Sequence, residues 1–334
     1  MMPGPVAADI APPMSQAAGC PDITVIIVNY NTSHLLDRCF AALKAGRGTL
    51  QLQIILVDNA SRDCSAEILR ARFPCAELMK NSVNVGFGRA NNQVLAKVRG
   101  RFVLLLNADA FVSPDTLTKT LSYMEAHPNC GVLGVKIVGD DGVPQPSCRY
   151  FPTPWNLFLN ATGLGCLFPG VRLVDDKSWD YATERECDWV PGCYYLVRRE
   201  VIDRVGLFDP RYFVYYEEID HCRAVKQAGW NVICYPYSSV VHICGESARS
   251  EGPLTHAGRQ ISTLQVESEL LYFRKQYGRG GLLAGVSLAI AGDAVNAIKG
   301  LLKLDMTRAT EAAQHAWTVL KLLFKTGLAA RPTR

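Results

Sequence analysis

None of the 12 cysteines in this 334-residue chain stands in a C-x-x-C pair, so neither a zinc ribbon nor a thioredoxin-type redox motif is encoded. They lie scattered among apolar or ordinary sequence, Cys39, Cys130, Cys193 and Cys234 among them, as reduced and buried thiols of a cytoplasmic protein do. There is no G-x-x-x-x-G-K phosphate loop. Gly86-Phe87-Gly88 begins like a dinucleotide fingerprint, but Asn91 stands where the third glycine belongs, and the segment does not follow the first strand. No run reaches the roughly 18 apolar residues of a membrane span; the nearest, Gly280 to Gly292, is interrupted by Asp293. Residues 1–20 lack a basic start followed by an apolar stretch, which favours a disordered tail over a signal peptide. A net charge of +4 is too mild to indicate nucleic acid, and no internal repeat is visible.

What the chain does contain is a set of short apolar runs that end on polar residues. Thr24-Val25-Ile26-Ile27-Val28 runs into Asn29-Tyr30-Asn31, Ile54-Ile55-Leu56-Val57 into Asp58-Asn59, and Phe102-Val103-Leu104-Leu105-Leu106 into Asn107-Ala108-Asp109. Continuous apolar runs separated by helix-length segments read as fully buried parallel strands. Ligands of open α/β sheets sit outside the carboxyl ends of the strands. The expectation is therefore an α/β fold with a mostly parallel sheet flanked by helices, and one polar, acidic rim carrying Asn29, Asp58 and Asp109.

Helices are expected after Ser33, after Ser61 or Asp63, and from Ser113-Pro114-Asp115 to His127, with Pro114 in the first turn. Val132 to Val138 reads as a strand. The proline-rich stretch from Asp140 to Asp180 reads as a long loop. A second compact region follows, with strands over Trp189–Val197, Val232–Tyr235 and Ser239–His242, and helices over Arg199–Val205 and Glu217–Ala228. The division expected is a tail over 1–20, a catalytic unit over 21–250 with a nucleotide half (21–140) and an acceptor half (180–250), and a helical extension over 251–334. In that extension Ile290, Ala294, Val295, Ile298, Leu301 and Leu302, then Ala309, Ala313, Ala316, Trp317, Leu320 and Phe324, recur at helical spacing. Such amphipathic helices either cover the catalytic unit or lie on a membrane surface, the second helped by Arg308, Lys321, Lys325, Arg331 and Arg334.

Each motif has a plain structural use beside its chemical one. Asp58 can simply cap a helix; its functional use is to accept a ring N–H from a pyrimidine base, with Asn29, Tyr30 and Asn31 supplying amides and a ring to the same pocket. A carboxylate at the tip of an apolar strand, as at Asp109, is costly unless solvated, paired or bound to a cation. A hard divalent ion bridging it to a diphosphate meets that need. The Asn84 to Asn92 segment, with Gly86, reads as a loop against the nucleotide. Tyr215-Tyr216-Glu217-Glu218-Ile219-Asp220 places three acids at a helix start, where negative charge is favourable in any case. The aromatics before them suggest a cleft in which Glu218 could be tuned as a general base, leaving Glu217 and Asp220 in support. His242 ends an apolar strand, and imidazole suits a metal or phosphate contact. His34, His127, His221, His256 and His315 carry no such context.

Taken in order, Val28-Asn29-Tyr30-Asn31, Val57-Asp58-Asn59-Ala60-Ser61, Asn84-Val85-Gly86-Phe87 with Ala90-Asn91-Asn92, Leu106-Asn107-Ala108-Asp109, Pro191-Gly192, and Tyr216-Glu217-Glu218-Ile219-Asp220 resemble glycosyltransferase family 2. The resemblance is to its bacterial rhamnosyltransferase-like branch and covers residues 22 to 250. It implies a GT-A fold, a nucleoside-diphosphate-sugar donor, Mg²⁺ or Mn²⁺, and inversion by direct displacement. Position by position it implies base recognition by Asp58, metal ligation by Asp109, a general base at Glu218, and His242 near the diphosphate. Asn107 and Gly192 fall within matching motifs, for donor and acceptor respectively. Two departures stand out. The usual D-x-D is Asn107-Ala108-Asp109, which leaves one carboxylate, and the base position often held by Asp is Glu218.

The resulting expectation is an inverting hexosyltransferase, cytoplasmic and peripheral on the inner face of the membrane. It would move L-rhamnose from a dTDP donor to a lipid-linked or polysaccharide acceptor of the cell envelope. The alternative donors are UDP-linked galactofuranose or N-acetylglucosamine. A sugar nucleotidyltransferase would want a glycine-rich basic loop where this chain has Asn29-Tyr30-Asn31-Thr32, and the acids at 109, 217, 218 and 220 oppose a non-catalytic scaffold.

Overall fold

The computed structural model describes residues 19–63, 65–175, 179–243 and 263–334. The expected tail (1–18 of it), His256 and the start of the extension at 251 lie outside the described residues. The elements run β1 (Ile23–Asn29), α1 (Ser33–Gly46), β2 (Leu52–Asp58), α2 (Ser65–Arg72), β3 (Glu77–Lys80), α3 (Phe87–Asn92), β4 (Phe102–Asn107), β5 (Ala110–Val112), α4 (Thr116–Ala126) and β6 (Cys130–Val138). They continue with β7 (Pro144–Gln145), α5 (Pro154–Thr162), β8 (Arg185–Glu186), β9 (Tyr194–Arg198), α6 (Arg199–Val205), α7 (Glu217–Gln227), β10 (Asn231–His242), α8 (Thr263–Leu302) and α9 (Met306–Lys325).

One sheet organises the molecule, in the order β3-β2-β1-β4-β9-β6-β10-β5. From β3 to β4 every pairing is parallel, in keeping with the expected α/β architecture. Beyond β4 the sheet is mixed, because β9 enters antiparallel to both β4 and β6 while β6 and β10 run parallel. The apolar runs are buried on both faces. In β1, Ile23, Val25 and Ile27 enter one core cluster and Ile26 the other; in β4, Phe102, Leu104 and Leu106 split the same way from Val103 and Leu105. Period-2 side-chain alternation distributes an unbroken apolar run between two layers. Strand order reverses at β1, which pairs with β2 on one side and β4 on the other, so the crevice for a ligand opens at their carboxyl ends.

Several local expectations are revised. Pro114 lies in the turn before α4 rather than in its first helical turn. The helix after Asn31 is capped across space: Ser33 N–H donates to Asp63 Oδ2 at 2.9 Å, and Asp63 Oδ1 also accepts from Ser65 N–H at 3.2 Å. The stretch expected as one long loop contains α5, set by a capping box in which Thr153 and Asn156 exchange bonds around Pro154. The two short strands expected near residue 235 are one strand, β10, with an irregularity between Tyr235 and Ser239.

At the end of the chain α8 kinks at Gly278 (φ 67°) and α9 returns along it. Their inner residues, among them Leu270, Tyr272, Leu282, Val319 and Leu322, join the core cluster that contains Ile26 and Leu105. The helices therefore share a core with the sheet.

Candidate active site

The rim begins where β1 and β2 end in register, with Asn29 opposite Asp58. Both side chains are buried. Asn29 Nδ2 donates to Ser61 Oγ at 3.0 Å and to Asp58 Oδ1 at 3.4 Å, while Asn29 Oδ1 accepts from Thr32 Oγ1 at 2.6 Å. Asp58 Oδ1 also receives Ser61 N–H at 3.4 Å. Asp58 Oδ2 is buried with no hydrogen-bond partner among the described residues. A buried acceptor without a partner is costly, and a ligand N–H would satisfy it. Asn31, at φ 55°, accepts Arg62 N–H at 2.8 Å, and Tyr30 stands half-buried beside it.

Asn84 acts through its side-chain oxygen and Gly86 through its backbone, both shaping the loop that carries them. Asn59 Nδ2 donates to Asn84 Oδ1 at 2.8 Å, Asn84 Oδ1 accepts Gly86 N–H at 2.9 Å, and Asn59 Oδ1 accepts Val85 N–H at 3.1 Å. Gly86 has φ 90°, and a Cβ there would lie 2.3 Å from the Phe213 carbonyl oxygen. Only glycine permits that approach. It ties the loop to the segment leading into α7, where Phe87 N–H donates to the same carbonyl at 2.8 Å. Asn59, not among the candidate residues, is the hub of this network.

β4 brings in the second part of the rim. Beyond Asn107 the chain turns directly into β5, where Ala110 pairs with His242, and Ile243 N–H donates to the Asp109 carbonyl at 3.2 Å. That register sets His242 Nε2 3.3 Å from Asp109 Oδ1. Among the described residues no group of three or more metal-binding side chains occurs. A carboxylate and an imidazole side by side nevertheless form a donor pair suited to a divalent transition metal such as Mn²⁺.

The third part comes from β9 and α7. Antiparallel pairing of β4 with β9 reaches Leu106 opposite Tyr194, and Asn107 N–H donates to the Cys193 carbonyl at 3.1 Å, which leaves Gly192 at the same strand end. Glu218 packs there, with Oε1 4.0 Å from where a Gly192 Cβ would be. Strand ends and Glu218 thus share one rim. Tyr215 (φ 70°) and Tyr216 (φ 71°) are both left-handed, a strained elbow that turns the chain into α7 and throws Glu217 and Glu218 into its first turn. Glu217 is buried, and one oxygen of each glutamate lacks a partner among the described residues. Burial raises both carboxyl groups; the Glu218 charge raises Glu217 further, whereas the Arg149 guanidinium and the Gly192 backbone draw Glu218 back. Of the two, Glu217 is held further above the ordinary carboxylate range, by burial and by the adjacent Glu218 charge.

Asp220 points the other way. Its Oδ2 accepts Lys275 Nζ at 2.6 Å, and its Oδ1 accepts Gln276 Nε2 at 2.6 Å and Tyr212 OH at 3.3 Å. Tyr216 OH donates to Glu269 Oε2 at 2.9 Å, and Ser268 Oγ to the Val214 carbonyl at 2.9 Å. The first half of α8 therefore grips the elbow and α7 from behind. Asp220 is an anchor in this geometry, and Glu269, Lys275 and Gln276 are supports that no local sequence signal announces. His221 is structural: it bonds the Tyr195 hydroxyl at 2.7 Å and the Gly206 carbonyl at 3.0 Å, and burial pushes its pKa down to about 4.

The layered α/β sheet thus carries polar side chains at its switch point, with the Asp109–His242 pair and two adjacent glutamates, of which Glu217 is buried, at the same rim. Residues 24–183 match the model for glycosyl transferase family 2. It is 28% identical over 255 residues to an N-acetylglucosaminyl-diphospho-decaprenol L-rhamnosyltransferase of Mycobacterium tuberculosis strain H37Rv, across 70% of this chain and 80% of that protein. Among solved structures, the mannosyltransferase PcManGT from Pyrobaculum calidifontis in complex with GDP-Man and Mn²⁺ superposes with a TM-score of 0.54 at 18% identity, covering 92% of this chain and 87% of that one. GalNAc-T7 with UDP, GalNAc and Mn²⁺ superposes with a TM-score of 0.51 at 16% identity, covering 67% of this chain, which spans 43% of that one.

Proposed function

We propose that the protein is an inverting, metal-dependent hexosyltransferase that moves L-rhamnose from dTDP-rhamnose to a lipid-linked acceptor in cell-envelope glycan synthesis. The observation that carries this reading is the meeting of the Asp58, Asp109–His242 and Glu218 groups at one sheet rim. The name of the mycobacterial relative supports the sugar and the class of acceptor.

In this mechanism Asp58 Oδ2 accepts the ring N–H of the base, and Asn29, Tyr30 and Asn31 complete the wall around it. Asp109 and His242 would hold Mg²⁺ or Mn²⁺, which neutralises the diphosphate as its charge grows. Glu218 removes the proton from the acceptor hydroxyl as that oxygen attacks the anomeric carbon from the face opposite the diphosphate. The carbon–oxygen bond to the diphosphate breaks, its electron pair leaves with the phosphate, and the anomeric configuration inverts. Glu217, raised by burial and by the charge on Glu218, supports the base from the adjacent position. Asn84, Gly86 and Asn107 shape the donor side, and Gly192 leaves the acceptor side open beside Glu218. On this reading residues 21–250 form the catalytic unit and the enzyme works from the cytoplasm.

A panel of nucleotide sugars tests the proposal by diphosphate release, with and without membrane extract and with Mn²⁺ or EDTA. dTDP-rhamnose should turn over best, only with extract and only with the metal. Preference for UDP-galactofuranose or UDP-N-acetylglucosamine would overturn the donor assignment, and full activity in EDTA would overturn the metal.

A further inference from the structure

Periodicity sets Trp317, Leu320 and Phe324 on the apolar side of α9, yet the helix packs by another side. Ala312, Val319, Leu322 and Leu323 are buried, whereas Trp317 is 69% and Phe324 74% exposed. With Lys321, Lys325 and Leu328, also exposed, they make one stripe at helical spacing. The turn between α8 and α9 behaves in the same way. Asp305 N–H closes onto the Gly300 carbonyl at 2.8 Å, where a Cβ on Gly300 would meet the Asp305 carbonyl oxygen at 2.9 Å. Leu304 takes φ 57° to complete this turn, leaving Leu302 80% and Leu304 89% exposed, with Leu301 and Met306 beside them. A leucine held left-handed at the tip of a tight turn, pointing at water, needs a reason.

We propose that this outer surface, the hairpin tip together with the Trp317–Phe324 stripe, lies in the interface of an anionic lipid bilayer. Charge favours a bilayer over a protein partner: residues 263–334 hold 10 Lys and Arg against 5 Asp and Glu, although the whole chain is only +4. Aromatic and leucine side chains alternating with lysines along one face is the pattern of helices that lie in a headgroup layer. By length and composition α8 could also cross a membrane. Its polar contacts oppose that: Asp293 Oδ2 bonds His315 Nδ1 at 2.8 Å, Lys299 Nζ donates to the Thr162 carbonyl at 2.7 Å, and Asn296 Nδ2 to the Ala161 carbonyl at 3.2 Å. A spanning α8 would lose all three, so the hairpin lies on the surface.

The test is co-sedimentation of the full chain with vesicles of phosphatidylcholine containing phosphatidylglycerol, and with phosphatidylcholine alone. It reads no sugar transfer, so its failure is separate from failure of the functional proposal. The wild type should pellet with the anionic vesicles and be released by salt. L302S/L304S should bind at least about tenfold more weakly, because two leucines leave the interface, while W317S removes the blue-shifted tryptophan emission seen on vesicle addition. Circular dichroism of the variants should match wild type, since these side chains touch little protein. A wild type that stays in the supernatant with both vesicles overturns the proposal. So does equal pelleting by L302S/L304S, or a wild-type dimer in light scattering that the same substitutions dissolve.

Discussion

The strand-end rim and the C-terminal hairpin are both built on apolar periodicity, but they resolve it differently. At the rim, β1, β2 and β4 are apolar on both faces and buried on both faces, so the polar residues that end them have one place to go, the crevice. In the hairpin, apolar residues surround much of each helix, and packing selected Val319 and Leu322 for the core while leaving Trp317 and Phe324 outside. A strand in the middle of a sheet has no free side. A helix has a choice of sides, and neighbours make it.

The largest effect that sharpens this contrast belongs to the rim. Glu218→Gln should lower kcat by about 10²–10⁴-fold, the usual worth of a positioned base, while calorimetry shows dTDP binding nearly unchanged; near-normal turnover would remove Glu218 from the mechanism. Because burial raises Glu218, the acidic limb of the kcat/KM profile should fall above the ordinary carboxylate range, with the rate declining as pH drops and the base takes a proton. The inner face of the hairpin comes next. Leu322→Ala should cost about 2–5 kcal/mol in urea unfolding, and a neutral result would mean that α9 does not share the core.

Between the two regions stands Asp220, which ties α7 to α8. Asp220→Ala should cost about 2–3 kcal/mol, less than a wholly buried ion pair, because Lys275 is partly exposed and keeps its 2.7 Å bond to Asp209. The smallest effect belongs to the outer face. Trp317→Ala should move stability by no more than about 0.5 kcal/mol, and a large loss would mean that the stripe packs on protein after all.

The legible parts were those where chemistry is local. Three apolar runs placed Asn29, Asp58 and Asp109, and the order of motifs around Glu218 carried the family. α5 was read as loop: Thr153-Pro154-Trp155-Asn156 forms its capping box, but the prolines around it concealed the signal. Other features had no local sign. The antiparallel entry of β9 between β4 and β6, the electrostatic pull of Arg149 on Glu218, and the hold of Glu269 on Tyr216 join residues more than 40 positions apart.

By itself the sequence determined which residues end the central strands and where the longer amphipathic helices lie, because periodicity, caps and the cost of burying a charge act within a few residues. Only the tertiary structure decided that His242 stands beside Asp109, that Asp220 is an anchor while Glu218 lies against Gly192, and which side of α9 meets water. Those outcomes depend on pairing and packing between distant segments, where free energy is shared among contacts that no single stretch of chain contains.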